Sequence, residues 1–375
     1  MVPNLRFSYK GDWSKRKLNE ICLFFKGNGL SKSDLSNEGF PCILYGELYT
    51  TYKNEVISDI ISKTNTTLSN PFLSRNNDLI IPGSGENPID IAVARAIYQN
   101  DIILGGDLNI LRPKSNVSAA FLSYQINGVR RYDIAKKAQG KSIVHLHNSD
   151  LKEVLVSIPS YDEQLHIVKL LTKIDEMIET QSKIINDYKL LKKYITKSFI
   201  KQKGTSYLLS EIAELGRGRV ISSAEISKQK NPIYPVYSSQ TSNNGVMGYL
   251  DNYDYEGEYI TWTTDGANAG TVYYRNGKFN CTNVCGILKI KNGYDAYYIS
   301  NILNCYTKKY VSTNLANPKL MNNVMANIKI NLPSIERQKY FSNILKAIEY
   351  RVKIEQDIKL NLVKQKVFLL KNMFL

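Results

Sequence analysis

Histidine and cysteine are scarce in this chain, three and five among 375 residues, and their scarcity removes several classes of chemistry. Cys22, Cys42, Cys281, Cys285 and Cys305 are odd in number and scattered, which fits reduced thiols in a cytoplasm better than a disulfide framework. Cys281 and Cys285 lie four apart, so on one strand both would face the same side as a buried apolar pair. No second Cys or His pair completes a zinc site with them. The lone His145-x-His147 also lacks further ligands, and no metal site is expected. Phosphate-cradling G-x-x-x-x-G-K-[ST] loops and H-E-x-x-H helices are absent. Asn231-Pro232-Ile233-Tyr234 approaches the Asn-Pro-Pro-Tyr motif of amino-methyltransferases but fails at the third position. No strand-then-glycine loop for S-adenosylmethionine precedes it. Leu215-Gly216-Arg217-Gly218-Arg219 is glycine-rich, yet no β-branched strand leads into it. No pair of carboxylates with a nearby lysine points to a nuclease, so no catalytic residue is expected. A charged-then-apolar leader and a bilayer-spanning apolar run are also missing, which predicts a cytoplasmic protein without a membrane segment.

What the chain has in excess is positive charge. Lys+Arg number 49 against 34 Asp+Glu, a formal net charge of +15, which favours a polyanionic partner such as a phosphate backbone. Hydrophobic content of 43% and charged content of 22% are those of a folded protein. A length of 375 residues exceeds one ordinary hydrophobic core and predicts several domains.

The chain also repeats itself. Ile158-Pro159-Ser160 followed by Gln164 returns as Leu332-Pro333-Ser334 followed by Gln338, both prolines and both glutamines being 174 positions apart. A constant offset marks an internal repeat. Each copy opens a proline-free, Lys-rich segment, from about 160 to 203 and from about 335 to 373. Some forty helical residues make a rod of roughly 60 Å. Ile167, Leu171, Ile174, Ile178, Ile185 and Tyr188 step by fours and threes with Gln181 as the one polar member, the pattern of a coiled-coil seam. The second rod carries Leu345, Ile348, Val352, Ile358 and Leu362. An exposed seam requires a partner, and antiparallel pairing of the two rods is the simplest one. Leu171, Ile174 and Ile178 would then pack with Ile348 and Val352, and Gln181 would meet its repeat equivalent Glu355 near mid-rod.

The remaining segments read as mixed α/β. Cys42–Tyr45, Leu79–Ile81 and Asp101–Leu104 are short apolar strands between Gly- and Pro-rich turns. Residues 117–126 form a predicted short helix with Ser118 or Asn116 as its cap. Lys17–Ile21 is echoed by Leu208–Ile212, and Ile110–Lys114 by Ile287–Lys291, at offsets that differ because the intervening loops differ in length. The predicted organisation is a first α/β domain at 1–157, a long helix at 158–203, a second α/β domain at 204–331 and a second long helix at 332–375.

The loops carry recognition chemistry. In the second half these are Ser238, Ser239, Gln240, Asn243 and Asn244, then Thr263, Thr264, Asp265 and Asn268. Amides bond adenine edges, hydroxyls adapt to either base, and aspartate accepts from cytosine. In the first half the candidates are Tyr45, Glu47, Arg75 and Ser84, with Arg112, Lys114, Arg130 and Arg131 placed to meet phosphates.

Two variable α/β domains, each followed by an I/L-P-x-x-x-x-Q signature and a long helix, resemble the specificity subunit of type I restriction–modification systems. Thr263-Thr264-Asp265-Gly266-Ala267-Asn268-Ala269-Gly270 with Phe279-Asn280-Cys281-Thr282-Asn283 is similar to one class of its target-recognition domain. The resemblance implies two α/β target-recognition domains separated by two antiparallel coiled-coil helices in a pseudo-twofold repeat. It also implies a non-catalytic chain that reads a bipartite, asymmetric double-stranded DNA target, with the helices setting the spacer. Two methyltransferase subunits would dock on it and, through them, motor-nuclease restriction subunits. S-adenosylmethionine, ATP and Mg²⁺ would belong to those partners, with no cofactor bound by this chain. A coiled-coil adaptor for other proteins is the alternative, and a solitary DNA methyltransferase a third reading.

Overall fold

The computed structural model describes residues 2–200, 202–312 and 317–375. Two compact units divide the chain, Met1–Lys183 with Gln356–Leu375 and Ile184–Glu355. Each long helix is therefore shared between a unit's own α/β body and the next.

In the first unit, Ser14–Lys17 pairs antiparallel with Leu155–Ile158 and leads through the four-residue helix Leu18–Ile21 into strand Cys22–Lys26. That strand edges a five-stranded sheet in which Leu108–Pro113 lies between it and Asp78–Pro82. The Asp78–Pro82 strand is buried along its whole length. Alternation then divides its side chains: Leu79 and Ile81 join one core with Leu122 and Ile126, while Ile80 joins Ile43, Ile97 and Ile110 on the other face. The predicted short helix is Ala119–Gln125, and Ser118 caps it by accepting the Phe121 N–H. Asn116 instead takes a left-handed backbone conformation (φ 66°).

The second unit repeats the entry. Thr205–Leu208 pairs with Lys329–Leu332, helix Leu209–Ile212 follows, and Ala213–Arg217 edges a six-stranded sheet. Tyr255–Thr263 lies in that sheet between Cys285–Ile290 and Val272–Cys281. Helix Ala296–Tyr306, capped by Asp295, covers it with Tyr298, Ile299, Ile302 and Leu303 against Trp262 and Leu288. The sequence echoes have a common physical role. Lys114 Nζ bonds the Glu20 carbonyl at 2.8 Å and Lys291 Nζ bonds the Glu211 carbonyl at 2.9 Å, each satisfying the end of the four-residue helix. Lys114, offered for a phosphate, is exposed and also serves this structural bond.

The long helices are Tyr161–Ile200 and Ile335–Asn372; the expected run to 203 passes through 201, which lies outside the described residues. They pair antiparallel inside each unit. In the first, Ile167 and Leu171 pack with Met373, Phe374, Phe121 and Trp13. In the second, Phe199 stacks on Phe341 at 3.7 Å and Lys192 bonds Glu349. Leu171, Ile174 and Ile348 are buried, and Ile178 and Val352 are half-buried.

Two expectations about the seam differ from the structure. Ile358 is 39% exposed, and the period continues instead through buried Glu355, half-buried Lys359 and buried Leu362. The strict three-four spacing wins over hydrophobicity there. The meeting of Gln181 with Glu355 is also displaced. Asp175 lies opposite Lys366, a register that sets Gln181 level with Leu360 inside the first unit. Lys192 opposite Glu349 sets Glu355 level with Asn186 inside the second. The Glu355 carboxylate takes Arg351 of its own helix at 2.7 Å, and the buried Gln181 Oε1 has no donor among the described residues.

Candidate nucleic-acid interface

In the first unit the candidate residues separate into two groups. Tyr45 is half-buried and lines a cleft of about 700 Å³ with Lys32, Thr50 and Asp107. Arg75 is exposed in the turn that its own N–H closes on the Asp78 carboxylate at 2.8 Å, and its guanidinium has no acceptor among the described residues. These two remain available to a partner. Glu47, by contrast, accepts the Leu44 N–H at 2.7 Å and the Ser62 hydroxyl, and buried Ser84 donates to Asp107 at 3.1 Å.

The three arginines offered for phosphates are all engaged. Arg112 forms a fork on Asp78, Nε at 2.7 Å and Nη2 at 2.8 Å, with Phe25 and Phe72 against its plane. Hydrogen bonding to Asp78 raises its pKa above the ordinary value, ahead of the opposing effect of burial. Arg130 bonds the Leu375 backbone oxygen at 2.7 Å and Asp133 at 3.3 Å, and Arg131 bonds the Ile89 carbonyl twice, at 3.2 and 3.0 Å. Apart from Asp133, three residues from Arg130, their partners stand too far away in sequence to be read from local spacing.

The second unit gathers its candidates at two loops. Ser238 and Ser239 are half-buried just after strand Tyr234–Tyr237, and the Ser238 N–H bonds the Gly245 carbonyl at 2.9 Å. Gln240 donates its amide to the Val246 carbonyl. Asn243, Asn244 and Gly245 follow in left-handed conformations, φ 47°, 53° and 82°, with both asparagines exposed. Asn and Gly are the residues that tolerate such backbone. In the other loop, Thr263 and Thr264 are buried, and the Thr263 hydroxyl donates to the Asn268 carbonyl. Asp265 accepts from Thr264 at 2.6 Å and faces Lys319 at 3.6 Å, while the Asn268 side chain is exposed. The threonines thus hold the loop, and Asn243, Asn244 and Asn268 present their amides outward.

A residue missing from the sequence reading sits among these loops. Arg275, 3% exposed, lies over the Tyr237 ring at 3.5 Å and the Tyr273 ring at 4.4 Å. Its Nη2 donates to the Asn244 carbonyl at 3.0 Å and its Nε to Thr261 Oγ1 at 3.2 Å. Burial lowers its pKa from the ordinary value. An arginine in a run of tyrosines on a strand carries no local signal of this role.

Cys281 ends one strand and Cys285 begins the next, so the reading of a single shared strand is corrected, although both are buried. A hydrogen bond with Cys285 and burial push the Cys281 thiol up. Burial also pushes Cys22 up to about 12 and Cys42 up to about 11, leaving those thiols protonated near neutral pH. His145 and His147 stack with centroids 6.1 Å apart, and His147 holds the N-cap position of helix Asn148–Lys152, its backbone N–H donating to the Asp150 carboxylate at 2.9 Å. Among the described residues no helix is long and apolar enough to cross a membrane, and no group of three metal-ligating side chains forms.

A duplicated frame with unlike loops, joined to a pair of long helices, defines a two-headed recognition protein. The chain belongs to the family of type I restriction modification DNA specificity domains, whose model matches it twice, at residues 10–189 and 204–365. The type I restriction enzyme MpnII specificity subunit of Mycoplasma pneumoniae is 42% identical over 146 residues, 38% of this chain and 43% of that protein. Another M. pneumoniae protein named as a type I specificity subunit is 36% identical over 216 residues, 55% of this chain and 80% of its own length. Among solved structures, a type I restriction–modification S subunit from M. genitalium superposes with a TM-score of 0.68 at 17% identity, covering 100% of this chain and 99% of that one. A chain from a structural study of complex assembly in a type I system gives 0.60 at 14% identity, covering 97% and 98%. At such identities the likeness is one of fold.

Proposed function

We propose that each unit reads one half of a bipartite, asymmetric double-stranded DNA target and that the paired helices fix the spacer between the halves. The observation that carries this reading is the repeated frame with unlike loops. The Lys114 and Lys291 bonds recur in both units, as do those of Gln164 to the Ser118 N–H and Gln338 to the Asp295 N–H, whereas the exposed polar groups do not. Related scaffolds with different loops are what two different half-sites require. The chain itself performs no chemistry in this reading. Two methyltransferase subunits supply S-adenosylmethionine, and motor-nuclease subunits docked through them use ATP and Mg²⁺.

Exchange of residues 206–330 for the corresponding domain of another family member tests it. Mapping methylated sites in cells that carry the complete system should show one half-site replaced and the other intact. Change in both halves would refute independent reading. Affinity of the complex for DNA should also fall steeply with salt as phosphate contacts release counterions; a flat response would favour the protein-adaptor alternative.

A further inference from the structure

Arg275 is a buried cation that no carboxylate pairs with among the described residues. Burying a guanidinium is costly unless its surroundings compensate. Here two ring faces and two neutral oxygens do so, and the group they stabilise is tied to a loop. The Asn244 carbonyl that receives Nη2 belongs to three consecutive left-handed residues. A Cβ on Gly245 would stand 3.1 Å from Arg275 Nη2, so the turn and the guanidinium are fitted to each other. The loop is held at its ends by Ser238 N–H to the Gly245 carbonyl and by the Gln240 amide to Val246. Arg275 adds a third tie, at Asn244.

We infer that Arg275 is a positioning residue for sequence reading: stacked between Tyr237 and Tyr273, it fixes residues 238–245 so that the Asn243 and Asn244 amides meet base edges in one orientation. The inference rests on the DNA-reading assignment made above. It names the determinant of specificity in the second unit as a side chain that touches no base. Beyond the Gln240 tie, the side chains of Asn243 and Asn244 make no hydrogen bond among the described residues that would fix the turn. Asn243 and Asn244 are exposed, and their left-handed backbone is one that short polar residues enter and leave at low cost. An amide discriminates adenine only when both of its groups are aligned at once, so loosening the turn degrades discrimination before it abolishes binding.

The test uses the full chain in complex with its methyltransferase subunits. Methylation rates are measured on duplexes carrying the cognate target or single-base changes in either half-site. Arg275→Met removes the cation and both donors while keeping an unbranched apolar stem. The expected result is about a tenfold fall in the cognate-to-changed ratio at the second unit's half-site, the scale of one bidentate base contact. The ratio at the other half-site should be unmoved. Tyr273→Leu takes away one ring and leaves the bond to Asn244, and a smaller fall confined to the same half-site is expected. It also decides the matter if Arg275→Met does not fold. Slower methylation with both ratios unchanged in the folded variants would overturn the inference, because a merely structural role lowers the amount of active complex without altering its choice of base. Failure of the wild-type complex to prefer any bipartite target would instead refute the DNA-reading assignment.

Discussion

Gln164 Oε1 accepts the backbone N–H of Ser118 at 2.9 Å, while its Nε2 donates to the Pro159 carbonyl at 3.1 Å. Gln338 repeats the arrangement, accepting the Asp295 N–H at 3.1 Å and donating to the Pro333 carbonyl at 2.8 Å. Both amides are buried, and each pins the start of a long helix to the cap of its domain's covering helix. Gln164→Leu keeps the volume and strands the Ser118 N–H and the Pro159 and Asn116 carbonyls, which should cost about 3 kcal/mol. The two tryptophans, Trp13 and Trp262, are buried in different units. Denaturant unfolding followed by Trp13 fluorescence in a Trp262→Phe background should therefore report the loss. An unchanged midpoint would mean the clip is dispensable.

Lys366 bonds both Glu55 and Asp175, at 2.6 and 2.5 Å, and Tyr124 adds its hydroxyl to Asp175 at 2.7 Å. Burial pushes Glu55 up, but Lys366 and Arg95 hold it below its ordinary range. Burial raises Asp175, and Lys366 only partly offsets this. The signs oppose: Glu55 stabilises the fold above the ordinary carboxylate range and loses that contribution as pH falls, whereas Asp175 favours the fold at lower pH. Lys366→Met leaves both acids without their cation and should cost about 3–5 kcal/mol near neutrality. Both folded-state pKa values then rise, so the deficit should shrink as pH drops from about 8 to about 5. Thermal unfolding across that range tests the sign; a deficit that grows toward acid would contradict it.

Arg112 and Arg75 should behave oppositely. Arg112→Ala abandons the fully buried Asp78 carboxylate and should destabilise the first unit by about 3 kcal/mol, with no change in the salt dependence of DNA binding. Arg75→Ala should leave stability within about 0.5 kcal/mol and reduce the slope of log affinity against log salt by about 0.9, one phosphate's worth. Titrations at several salt concentrations separate the two, and a reversed pattern would reassign both residues.

Seven residues inserted at matching levels of both long helices preserve the seam period and add about 10 Å. The methylated target should then carry a spacer about three base pairs longer, at 3.4 Å per pair, with both half-sites unchanged. A constant spacer would remove the ruler role.

The frame was legible because its signals are local or exactly repeated. Pro159 and Gln164 stand close together and recur, and the Lys114 and Lys291 echoes mark one bond made twice. The seam followed from periodicity, Glu355 included, until Lys359 took the place expected for Ile358. What escaped depends on partners distant in sequence. Arg112 looked like a phosphate ligand because Asp78 is 34 residues away. The Glu55–Lys366 pair spans 311 residues, and Arg275 meets Asn244 across 31. Composition shows which side chains a loop offers, but only the fold shows which of them are already occupied.

The glutamine clip described above joins helix to domain through main-chain atoms: Ser118 N–H and Pro159 carbonyl in one copy, Asp295 N–H and Pro333 carbonyl in the other. A fastening of that kind places no demand on the identity of the side chains around it. An exchanged domain that presents a helix cap at the same spot would meet this clip unchanged, and would have to match only the side-chain contacts beside it, such as Tyr124 with Asp175 and Phe121 with Leu171. The joint is a standard coupling, made of atoms that every sequence possesses.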